Sequence, residues 1–193
     1  MRDNIERDLG SHLENALHGV IIPDRYPKSA LEVAVIVLEG EEDCLWNEEL
    51  GQEKGISGIG LMNVLAASIN VAVAALVDAK IDCLDLLASG VAARTADAAT
   101  ELLDPCPSEH EELSSACIVG YLPARDELVE IWTKSVTDQG SDSALETLTD
   151  AAIKSARGAH KILAEVIKES LDQSMKQEHI STKKMANDVE MET

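Results

Sequence analysis

Phenylalanine is absent from this chain of 193 residues, and aromatic residues make up only 2% of it. The interior must therefore be assembled from Ala, Val, Leu and Ile, and it has little capacity for stacking nucleic-acid bases. Positive charge is scarce as well. Lys and Arg total 16 against 36 Asp and Glu, a formal charge of -20. A surface this acidic repels phosphate backbones in general and favours solubility and basic partners. Direct RNA binding would need a local basic patch, and the sequence has no long one. Cysteine is sparse, with only Cys44, Cys83, Cys106 and Cys117. No two are spaced as CxxC and no His pair completes a zinc set, so no metal and no cofactor is expected. Reduced and mostly buried thiols of an intracellular protein are expected instead of a disulfide framework. The charged start "MRDNIERDLG" does not read as a secretory leader.

What is present is a 45% hydrophobic chain of a length that suits one domain, or two small ones, with a real core. Ile5, Leu9, Leu13, Ala16 and Leu17 recur at helical spacing behind Asp3 as a cap, and Gly19 can end that helix. "PDRYPKS" is a turn-rich break. "ALEVAVIVLE" is β-branched and nearly continuous in apolar residues, which predicts a well-buried strand over 30–38. The glycine-bounded, acidic stretch from Glu41 to Lys54 reads as a solvated insertion, with Trp46 pinning it to the surface.

"GISGIGLMNVLAASINVAVAALVDAKI" follows, from Gly55 to Ile81. It opens like a phosphate-cradling loop, yet from Ile56 to Ala79 it offers no Lys, Arg or His. It is long enough to raise the question of a membrane span, but Asn63, Ser68, Asn70 and its many alanines predict a buried helix between layers, from about Gly58 to Ala79. "LDLLASGVAAR" is a second buried strand, and "TADAATELLDPCPSEHEELS" a loop with a carboxylate cluster. "SACIVGYLPA" and "ELVEIWTKS" form a hairpin that turns at Pro123 to Asp126. A long amphipathic helix capped by Ser141 or Asp142 closes the order. Residues 1–173 thus make an α/β layered domain, with helices packed on a mixed sheet. Residues 174–193, polar and unpatterned, are expected to be a disordered tail. Ser57 does not complete a G-x-S-x-G nucleophile elbow, and the five histidines lack metal-ligand spacing.

The order of these segments resembles the RNase PH family. "RDNIERDLGSHLENALHGVIIPDRYPKSALEVAVIVLEG" is similar to its helix–strand segment, with the aromatic-Pro-basic turn as Tyr26, Pro27 and Lys28. "AASINVAVAALVDAKIDCLDLLASGVAA" resembles its central helix and following strand, where Lys80 stands in place of a usual glycine. "ELLDP", "VGYLPARDELVEIWTKS" and the closing helix complete a match over roughly Arg2 to Ser170. Within the family the likeness is to fungal ring subunits of the eukaryotic RNA exosome. It implies an RNase PH-like (ribosomal protein S5 domain 2-like) fold, here without the strand-rich N-terminal part and with a longer acidic insertion.

The resemblance implies a ring of RNase PH-like subunits bearing RNA-binding cap subunits, with RNA passing through the assembled channel to a separate nuclease. It also implies a nuclear, nucleolar and cytoplasmic location and no membrane association. Active relatives hold inorganic phosphate with a Gly-Ser/Thr-Arg element at the start of the central helix, where N–H groups, dipole and guanidinium converge. Asn63, Val64 and Leu65 occupy those positions here. Active relatives also carry an acidic pair for general acid or metal work. Asp104 matches the first acid, and His110 falls at the second. A non-catalytic structural subunit is the expectation. The alternative, an active phosphate-dependent 3'-to-5' exoribonuclease, lacks its cation. RNA-contact candidates are Arg25, Lys28, Arg94 and Arg125, each with a solvated or ion-paired surface charge as its competing role.

Overall fold

The computed structural model describes residues 2–38, 59–95, 97, 100–106, 109, 113–135 and 142–191. Helix α1 spans Arg2–His18 and helix α2 Ile59–Asp78. Strands β1 (Ala88–Thr95), β2 (Glu101–Leu103), β3 (Leu113–Leu122) and β4 (Glu127–Ser135) follow, and then helix α3 (Asp142–Met191).

The strands form one sheet in the order β2-β1-β3-β4, and every neighbouring pair is antiparallel. Among the described residues the sheet is antiparallel throughout, where a mixed one was expected. The links between these strands are too short for the crossover that a parallel pair needs. The hairpin falls where the sequence places it, with Leu122 opposite Glu127 across the Pro123–Asp126 turn.

Both faces of the central strands are covered, which is why β3 is buried along most of its length. On one face α1 and α2 pack their aliphatic residues, among them Leu17, Leu65, Ile69 and Val73, onto Val91, Ala93, Ala116 and Ile118. On the other face Leu148, Ala151, Ala152 and Ala156 of α3 seat on Ala92, Cys117, Val119 and Tyr121. This second contact is built from small residues and is very close. A Cβ at Gly90 would lie 2.2 Å from the backbone N of Ala156. Helix α2 has the length and composition of a membrane span, but ten of its residues are buried within this layered core.

The sequence and the fold part company at three other places. Segment 30–38 forms neither helix nor strand and pairs with no strand among the described residues. β-Branched content disposes a chain to extend, but a strand is completed only by a neighbour on its ladder. Val33 and Val35 are half-buried against the core, whereas Ile36 and Leu38 are 79% and 93% exposed. The expected loop after β1 contains strand β2, paired with β1 through Ala92 with Leu103 and Arg94 with Glu101. The helical backbone of α3 continues to Met191, through most of the expected tail. No Gly or Pro follows Gly158, and Lys, Glu, Gln, Met and Ala all propagate helix well. Asp3 and Asp142 fall inside helices α1 and α3, while Ser141, Trp46 and the 41–54 insertion lie outside the described residues.

Candidate functional site: a degenerate anion pocket and scattered basic residues

The start of α2 and the loop after β2 come together in space. Asn63 donates from Nδ2 to the carbonyl of Pro105, the residue after Asp104, at 3.1 Å, which brings two of the expected site positions near each other. Asp104 is exposed, takes a left-handed backbone (φ 53), and donates its N–H to the Val91 carbonyl at 2.9 Å. The loop closes on itself as Cys106 N donates to Glu109 Oε2 at 2.9 Å. The sequence therefore singled out positions that are neighbours, although no sequence signal pointed to the Asn63–Pro105 link itself.

The chemistry at this junction is that of packing. Leu65 is 1% exposed and belongs to the core under the sheet. Val64 is half-buried, and its carbonyl accepts the Ser68 hydroxyl at 2.7 Å. Asn63 Oδ1 is buried and has no hydrogen-bond partner among the described residues. This junction thus offers an amide and aliphatic side chains where an anion would need a cation, with the Asp104 carboxylate next along the chain from Pro105. His110 lies outside the described residues. Among the described residues no cluster of three or more His, Cys, Asp or Glu is arranged to hold a metal ion.

The four RNA-contact candidates do not converge. Arg94 pairs with Glu101 across β1 and β2 at 2.9 Å and is largely shielded. This pairing was not legible in sequence because β2 was not. Arg125 holds Glu127 through Nε at 2.7 Å. The same hydrogen bond raises the Arg125 pKa and holds the Glu127 carboxyl below its usual range. Arg25 is solvent-exposed, 3.7 Å from Asp82. Lys28 is exposed in a left-handed conformation (φ 63), with no ion pair among the described residues. A fifth cation, Arg157, was missed by sequence reasoning. Its guanidinium donates to the Tyr121 hydroxyl at 2.7 Å and lies over the ring, and Tyr121 in turn donates to Asp126. It pins α3 to the hairpin turn, so it is structural.

The layered sheet with helices on both faces is an RNase PH-like fold. Residues 1–82 match the family described as "3' exoribonuclease family, domain 1" (RNase PH). The solved structure titled "Crystal Structure of rice (Oryza sativa) Rrp46" superposes with a TM-score of 0.57 at 14% identity, covering 84% of this chain and 65% of that one.

The chain is similar to members of the RNase PH family over most of its length. It is 40% identical over 174 residues to the exosome complex component MTR3 of Chaetomium thermophilum, covering 89% of this chain and 60% of that relative. The exosome complex component mtr3 of Schizosaccharomyces pombe is 24% identical over 160 residues, covering 82% and 54%. Homo sapiens MTR3 is 26% identical over 166 residues, covering 79% and 54%. The chain thus spans between about half and three-fifths of the length of these curated relatives.

Proposed function

We propose that this chain acts as a non-catalytic structural subunit of the RNA exosome core ring, supporting 3'-to-5' RNA processing and degradation by helping to organise the RNA channel. The observation that carries the reading is the 40% identity to a protein named exosome complex component MTR3. The pocket supports its non-catalytic side. Phosphorolysis needs a cation at the start of α2, and buried Leu65 stands at the arginine position. The partners are then other RNase PH-like ring subunits and RNA-binding cap subunits. RNA passes through the assembled channel, in the nucleus, nucleolus and cytoplasm and away from membranes.

The test is direct. Purified chain incubated with RNA in phosphate buffer should release no nucleoside diphosphates. Leu65→Arg should not restore release, since it would force a charge into a position that is 1% exposed and would meet no second acid at the His110 position. Phosphate-dependent shortening of RNA by the wild-type chain would sink the non-catalytic reading. Failure to co-purify with other RNase PH-like subunits from the source cell would sink the ring assignment.

A further inference from the structure

We propose that Asn70 is the positioning residue of α2. Its amide stands in for a strand beside β1 where β2 has ended, and so fixes where the start of the helix, with Asn63, meets the loop after β2. The β1–β2 ladder ends with Ala92 opposite Leu103, and Asp104 adds one bond, from its N–H to the Val91 carbonyl at 2.9 Å. Alternate residues of a strand turn their N–H and C=O to the same side, so Ser89 faces the same way as Val91. There Asn70 takes over. Its Oδ1 accepts the Ser89 N–H at 2.8 Å, and its Nδ2 donates to the Ser89 carbonyl at 3.1 Å. One side chain thus satisfies both backbone groups of a residue that is 2% exposed. The Ser89 hydroxyl donates to the Val119 carbonyl at 2.8 Å, which carries the same contact on to β3.

Helix α2 needs such a pin because its other contacts are nearly interchangeable. Its buried residues are all apolar or glycine, from Ile59 to Leu76. Apolar contact is non-directional, so a helix of small aliphatic residues can turn or slide against its neighbours at little cost. A buried amide that must meet its partners separates one arrangement from the rest. Ser68 takes no part in that choice, since its hydroxyl turns back onto the Val64 carbonyl of its own helix.

Asn63 lies two turns before Asn70 on nearly the same face, about 10 Å along the axis. It makes one hydrogen bond to another segment, at Pro105, and its Oδ1 has no partner among the described residues. Two bonds from Asn70 to one strand residue fix both rotation and translation of the helix, whereas one bond to a loop fixes neither. Asn70 therefore leads and Asn63 follows. The inference does not depend on membership of a ring.

The experiment reads hydrogen exchange by NMR in the full chain, at the Ser89 amide and at the Asn63 side-chain Nδ2 protons. Asn70→Ala should speed exchange at both sites by at least about tenfold, although Asn63 itself is unchanged. Asn63→Ala should leave the Ser89 amide as protected as in wild type. In the wild-type chain the two sites should open together, with one dependence on urea, a measurement that stands even if Asn70→Ala fails to fold. Faster exchange at Ser89 alone in Asn70→Ala would reduce the amide to a local hydrogen-bond partner and overturn the proposal. So would a loss of Ser89 protection in Asn63→Ala as large as that in Asn70→Ala, or separate urea dependences at the two sites.

Discussion

The close seating of α3 on β1 gives a sharp test of the fold. Replacing Gly90 by Ala would place a Cβ 2.2 Å from the Ala156 backbone N and 2.7 Å from the Ser155 carbonyl carbon. Non-bonded carbon contacts settle near 3.5–4.0 Å, so the backbone of α3 must retreat by about an ångström or more. No flexible side-chain end can yield in its place. The retreat separates Ala152 and Ala156 from Ala92, all fully buried, and overpacking of this kind costs about 1–3 kcal/mol. Gly158, two residues further along α3, is the internal control. A Cβ there meets nothing within 4 Å, so Gly158→Ala should gain about 1 kcal/mol of helix propensity. The two variants should therefore differ by about 2–4 kcal/mol in opposite directions from wild type. Urea unfolding followed by circular dichroism, at concentrations where sedimentation shows a monomer, would resolve that gap. Coincident midpoints would mean that α3 does not sit against Gly90, and the account of the second core would be wrong.

Three further outcomes are expected. Lys80 sits in the left-handed region (φ 58) just past α2, where its N–H and that of Ile81 cap the carbonyls of Val77 and Leu76. Lys80→Gly should raise the stability by about 0.5–1 kcal/mol, and a drop in thermal midpoint would refute the capping argument. Cys117 is buried, and desolvation pushes its thiol up to about 11, whereas Cys106 is exposed. Iodoacetamide should modify Cys106 before Cys117 in the native chain. Because the folded-state pKa of Cys117 is raised, its contribution to stability is complete below the unfolded thiol value and is lost as pH rises towards 11. Rapid native alkylation of Cys117 would contradict the second core. Finally, the isolated chain should associate as concentration rises, because Ile36 and Leu38 are exposed beside a backbone that is unpaired among the described residues. Sedimentation as a clean monomer with a sharp thermal transition would show that this surface needs no cover.

Local pattern settled a good deal of this protein by itself. The 3.6-residue spacing of Leu9, Leu13 and Leu17 sets α1, and the predominantly apolar character of 59–78 sets α2 as a buried helix. Turn residues at Pro123–Asp126 place the hairpin to the residue. The absence of Lys, Arg and His from 56–79 was equally legible, because it is a property of composition. Where the sequence puts a lysine for a glycine, at position 80, the structure supplies the reason that glycine suits it: a left-handed cap. Tertiary structure decided the rest, and each time the cause is non-local. Strand β2 exists because β1 lies alongside it, and Arg94 loses its freedom to that pairing. Segment 30–38 has the composition of a strand and, among the described residues, no neighbour that would make it one. Asn63 meets Pro105 across 42 residues of chain, and Gly90 is glycine because a helix begun more than fifty residues later comes to rest on it. Propensity is written into consecutive residues, but burial and pairing are relations between distant ones, and only the folded chain brings those into contact.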